Sequence, residues 1–271
     1  VSVALVATFP LVSRVGVFDS GVGGITVLQA LRSRFPTLDF IYLGDTANVP
    51  YGTKSPAQIE KLSRACALRL RDEGIQALVV ACNTASSWAM SAIQDAVGPG
   101  VAVIGMVEPG VEAVLERCAS VKGPILLLAT RATVKSGAYR KAFREAFQVS
   151  GESREILEQS CPLLVPMIEE GWLLHPILGQ TLDEYIGPHL GGGPGVVLLG
   201  CTHYPWIKNV VTAHMPGWQV VDSAESLATY FQVRLRERLA TSIATSGSMK
   251  WMFTDPDAVP DFARQLMKSL V

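Results

Sequence analysis

The sequence predicts an α/β protein built on mainly parallel sheets. Three observations point to α/β. Short aliphatic runs alternate with helix-length amphipathic stretches. The runs are apolar on both faces, as strands covered by helices on both sides must be. Five of them end in a small polar cluster just before a helix starts.

Val15–Phe18 is the first strand, and Asp19-Ser20-Gly21-Val22-Gly23-Gly24 leads from it into a helix over Ile25–Arg34. Phe40–Leu43 leads into Gly44-Asp45-Thr46, and a helix follows over Pro56–Glu73. Ala77–Ala81 leads into Cys82-Asn83-Thr84, and Val101–Ile104 is followed by a helix over Glu112–Ala119. Ile125–Ala129 leads into Thr130-Arg131-Ala132-Thr133 and a helix over Ala138–Phe147. After a helix over Leu178–Ile186 and a glycine loop at Gly191–Gly195, Val196–Leu199 leads into Gly200-Cys201-Thr202-His203. Gln219–Val221 is a further strand. In open α/β sheets ligands sit beyond the carboxyl ends of the strands, where helix amino termini offer free N–H groups. The five clusters are therefore expected to face one crevice.

With 271 residues, 49% of them hydrophobic, the chain can bury one large core or two smaller ones. A net charge of −1 and the lack of a basic run disfavour nucleic acid as a partner. Five cysteines without a Cys-x-x-Cys pair point to reduced thiols in the cytoplasm rather than a disulfide framework or a zinc ribbon. Residues 1–14 read as an N-terminal extension, with a signal-peptide remnant as the alternative for the apolar start. Polar residues interrupt every later apolar run, so no membrane partner is expected.

Cys82 and Cys201 stand in matching contexts, each after an aliphatic strand and before residues suited to cap a helix. A cysteine at a helix amino terminus has its thiolate stabilised, and its pKa is expected below about 8.5. The alternative is that each is a small buried hydrophobe. Cys66, Cys118 and Cys161 take that inert reading. His203 has three open roles: activating the Cys201 thiol, ligating a metal with it, or donating to substrate. His175, His189 and His214 fall in no ligand pattern, so no metal is expected. A Cys–His nucleophile for acyl transfer is a rival, but it leaves Cys82 unexplained. The glycines at 21, 23 and 24 fit neither a dinucleotide nor a phosphate-loop spacing, and suit a tight turn with close approach of backbone to a small ligand. Asp19 either takes part in the chemistry or caps that turn.

Taken together, Gly16–Gly24, Tyr42–Gly52, Ala81–Ser86, Lys135–Tyr139, Cys161-Pro162 with Val165-Pro166, and Leu199–Pro205 resemble the glutamate racemases of the aspartate/glutamate racemase superfamily. The likeness runs from about residue 15 to the end of the chain. It implies two α/β domains of similar topology with the active site between them. The first comprises residues 1–106 and 220–271, and the second residues 107–219. Val220–Ser223 resembles the strand on which the chain returns to the first domain, and Trp251–Thr254 with Asp261–Leu270 resembles the closing strand and helix.

The resemblance implies interconversion of L- and D-glutamate without a cofactor, and supply of D-glutamate for peptidoglycan. Homodimers are common in the family. Racemisation removes a proton from one face of the α-carbon and returns one to the other, so it needs two acid/base groups. By resemblance these are Cys82 and Cys201. Asp19 and Ser20 lie near the substrate amino group, His203 lies near Cys201, and Glu169 is an auxiliary. Asn83, Thr84 and Thr202 hold the α-carboxylate. Pro50, Tyr51, Gly52, Thr130 and Thr133 complete the substrate site, with Tyr51 and Gly52 toward the side-chain carboxylate. The rivals are an aspartate racemase of the same superfamily and a degenerate fold that binds without turnover.

Overall fold

In the computed structural model, residues 11–239 and 246–270 are described. In chain order the elements begin β1 (Arg14–Asp19), α1 (Ile25–Arg34), β2 (Asp39–Gly44), α2 (Pro56–Asp72), β3 (Ala77–Val80), α3 (Asn83–Trp88), α4 (Met90–Val97) and β4 (Ala102–Ile104). They continue with α5 (Val107–Cys118), β5 (Ile125–Ala129), α6 (Arg131–Ser136), α7 (Ala138–Ser150), β6 (Ile156–Ser160), α8 (Leu164–Glu169), α9 (Pro176–Ile186) and β7 (Val196–Gly200). The last are α10 (Lys208–His214), β8 (Gln219–Asp222), α11 (Ser223–Leu235), β9 (Met249–Phe253) and α12 (Asp261–Lys268).

The strands form two separate parallel sheets, ordered β4-β3-β1-β2-β9 and β6-β5-β7-β8. Helices cover both faces of each sheet, and the side-chain period of two sorts every strand between two cores. Val15 and Val17 of β1 face one core and Phe18 the other. In the second sheet, Leu126 and Leu128 with Val197 and Leu199 face one side, while Ile125 and Leu127 with Val196 and Leu198 face the other. This two-sided burial is why the sequence shows continuous aliphatic runs rather than alternation. No helix among the described residues is long and apolar enough to cross a membrane.

Three expectations change. The strand read as the chain's return to the first unit, Val220–Ser223, pairs with β7 in the second sheet. The return begins one element later, with α11, which packs on both α1 and α5. The supposed extension is only partly separate from the fold. Val12 is buried in the first core, and its N–H donates to the carbonyl of Arg238. Residues 1–10 lie outside the described residues. Finally, β6 went unread, because Ile156-Leu157-Glu158-Gln159-Ser160 is an edge strand whose five residues are all only half-buried.

Candidate active site

A cleft of about 350 Å³ lies between the carboxyl ends of the two sheets. From the first unit, Ser20, Pro50, Tyr51, Gly52, Cys82, Asn83 and Thr84 line it; from the second, Thr130, Glu169, Cys201, Thr202 and His203 do. Both cysteines thus reach one cavity from different sheets. Asp19 and Thr133 sit behind this wall rather than in it. Several further residues line it without a site role assigned from the sequence, among them Arg131, Val165, Glu170 and Cys161, the last read there as an inert thiol. Of these, Cys161 and Val165 stood in motifs that carried the resemblance.

Cys82 follows β3 and caps α3: its Sγ accepts the N–H of Ala85 at 3.4 Å, and its thiol donates to Oγ of Ser20 at 3.4 Å. The expected drop in its pKa does not occur. Burial pushes the thiol up to about 12, and the Asp19 carboxylate adds to this; the bonds from Ser20 and Ala85 oppose it without prevailing. A six-residue helix contributes little dipole against full desolvation. Asp19 is itself completely buried, which raises its pKa. Its carboxylate accepts the N–H of Gly21 at 2.9 Å and the hydroxyl of Thr202 at 3.3 Å, so it ties the glycine turn to the second unit.

Across the cleft, Sγ of Cys201 lies 3.9 Å from Nδ1 of His203, whose Nε2 is 2.9 Å from Oε1 of Glu169. Burial alone would lower the His203 pKa, but bonding to Cys201 and Glu169 outweighs it and raises the imidazole to about 10. The histidine is thus held as a cation beside the second thiol.

The rest of the wall is made of neutral polar groups. The hydroxyls of Thr84, Thr130 and Thr133 form a triangle with sides of 3.0, 3.0 and 3.2 Å. The hydroxyl of Tyr51 is turned away from the cleft, donating to Asp45 at 2.6 Å. Asn83 accepts from Tyr139 at 2.6 Å, and its Nδ2 is buried with no partner. Glycine allows the two units to close at two points. A Cβ on Gly23 would overlap Nδ1 of His203 and Oγ1 of Thr202, and a Cβ on Gly52 would crowd the side chain of Thr130. The close approach expected of the glycine turn is therefore to the facing unit. No group of three or more His, Cys, Asp or Glu among the described residues could hold a metal ion.

The model of the Asp/Glu/hydantoin racemase family matches residues 25–231. This chain belongs to that family. A curated relative, the glutamate racemase of Persephonella marina, is 38% identical over 95% of this chain and 92% of its own length. Among solved structures, the Francisella tularensis glutamate racemase in complex with D-glutamate superposes with a TM-score of 0.82 at 30% identity, covering 95% of this chain and 92% of that one. The Escherichia coli glutamate racemase, in complex with L-glutamate and an activator, superposes with a TM-score of 0.72 at 27% identity, covering 93% and 94%. As a member of this racemase family the protein is an isomerase, and its place is among the glutamate racemases.

Proposed function

We propose that this racemase interconverts L- and D-glutamate by proton transfer between two thiols, Cys82 and Cys201. The observation that carries the reading is that one cleft receives a cysteine from the end of β3 and another from the end of β7. An α-carbon held between them meets one acid/base group on each face. One thiolate takes the α-proton, and the opposite thiol returns one to the other face. The two units, taken as residues 11–106 with 223–270 and residues 107–222, then supply one thiol each.

The remaining residues fit an amino acid with two carboxylates and one ammonium. The unpartnered Nδ2 of Asn83 and the hydroxyls of Thr84 and Thr202 suit the α-carboxylate. The backbone around Tyr51 and Gly52, with Thr130, suits the side-chain carboxylate, and Thr133 supports Thr130 from behind. The substrate ammonium, placed near Ser20 and above Asp19, brings the positive charge that Cys82 lacks. An opposite charge at close range pulls a thiol pKa down, so the substrate itself prepares the base. On the other side His203, held at Nε2 by Glu169, lies 3.9 Å from Sγ of Cys201 through Nδ1. Fixed donors around the cleft stabilise the carbanion-like transition state. By family, the product D-glutamate supplies peptidoglycan synthesis, and the protein acts as a cytoplasmic homodimer.

The test is circular-dichroism assay of the purified protein with L-glutamate and with L-aspartate, without pyridoxal phosphate. Loss of ellipticity with glutamate is expected, and it survives exhaustive EDTA treatment. A signal with aspartate alone, or none with either, refutes the reading.

A further inference from the structure

Tyr139 is a buried ionisable group that the proton transfer does not use. It opens α7 in the second unit, and its side chain is completely buried. Its hydroxyl reaches back to the first unit, donating to Oδ1 of Asn83 at 2.6 Å, with the carbonyl of Met106 at 3.2 Å as a second acceptor. Burial drives the phenol pKa far above its ordinary value, so the group keeps its proton and remains a donor. Asn83 is also buried, lines the cleft, and has an Nδ2 with no partner among the described residues.

An asparagine amide presents a donor at one end and an acceptor at the other, and a half-turn about its last bond exchanges them. At Asn83 that exchange decides whether the cleft offers an N–H or a carbonyl oxygen. An N–H binds a carboxylate; a carbonyl oxygen repels it. The Tyr139 hydroxyl has one proton, and its nearer acceptor is Oδ1 of Asn83, at 2.6 Å against 3.2 Å for the Met106 carbonyl; with the oxygen held there, Nδ2 is the end left for the cleft.

We propose that Tyr139 is a positioning residue for substrate binding, which holds the Asn83 amide with its N–H turned to the substrate α-carboxylate. This rests on the racemase reading above and extends it to a side chain outside the cleft. Because Tyr139 and Asn83 belong to different units, the amide is set only when the two units are together. An open protein would present an undirected amide, and a closed one an oriented donor.

The test uses Tyr139→Phe, Asn83→Ala and the double variant, assayed for racemisation of both enantiomers beside the wild type and melted thermally. Wild-type racemisation of glutamate comes first, since its absence would count against the functional reading and not against Tyr139. Tyr139→Phe is expected to raise KM about tenfold, the scale of one lost hydrogen bond to a charged group. Its kcat is expected to change much less. Asn83→Ala should raise KM at least as far, and the double variant should match Asn83→Ala alone, because Tyr139 acts only through that amide. Should Tyr139→Phe fold poorly, 3-fluorotyrosine at position 139 keeps the hydroxyl and should keep the wild-type KM. An unchanged or lower KM in Tyr139→Phe overturns the proposal, as do effects that multiply in the double variant. A lower melting temperature with wild-type KM would reduce Tyr139 to a packing role and overturns it equally.

Discussion

The imidazole of His203 is buried between Cys201 and Glu169, and its pKa is raised from 6.5 to about 10 because its two partners outweigh the burial that opposes them. A raised pKa means that folding is favoured by the proton. The contribution is full below about pH 6.5 and disappears as pH rises through about 10. The thermal midpoint of the wild type is therefore expected to fall across that window more steeply than that of His203→Asn. Parallel curves for the two proteins would remove the charged histidine from the account. The family resemblance brought these three residues to one site, but the burial and the charge balance were not legible in the sequence. The position of His203 two residues after Cys201 left three roles open, and the contact between its Nε2 and Glu169 of α8 is made by the fold. Cys82 teaches the same lesson in reverse. Its place at a helix start was readable, but the burial and the nearby Asp19 that push its thiol up are tertiary facts.

At the level of elements, the turn between β1 and α1 is where backbone and site meet. An alanine at position 23 would place its Cβ against His203 and Thr202 of the other unit. Gly23→Ala is expected to cut kcat/KM by roughly 100-fold, since about 1 Å of misplacement at a reacting centre suffices for that. Far-ultraviolet circular dichroism should stay that of the wild type, and normal turnover would show that the turn has room to give. Elements covered on both sides could be read because burial wrote itself into them as aliphatic runs; β1, β5 and β7 are the clear cases. Half-buried β6 left no such run. The sheet to which β8 belongs could not be read either, because its own four residues say nothing of which neighbour they pair with.

For the whole molecule, the decisive arrangement is two parallel sheets whose carboxyl ends share one cleft, with a thiol from each. Replacing either cysteine with alanine is expected to abolish racemisation in both directions, because each direction needs a base on one face and an acid on the other. In heavy water the product enantiomer should carry deuterium at the α-carbon while early unreacted substrate carries little. Label appearing in the substrate as fast as in the product would mean a single shared base. Gly23 and Gly52 leave bare backbone on one side of two contacts between the units. A seam made that way can part and reseat without a side chain changing rotamer there, so entry and exit become a matter of rigid bodies moving through solvent. Such movements run on microsecond to millisecond timescales and are often slower than the chemistry they enclose. Turnover at saturating glutamate should then slow as sucrose thickens the medium, in step with the relative viscosity. A kcat indifferent to sucrose would place the slow step back in the proton transfer.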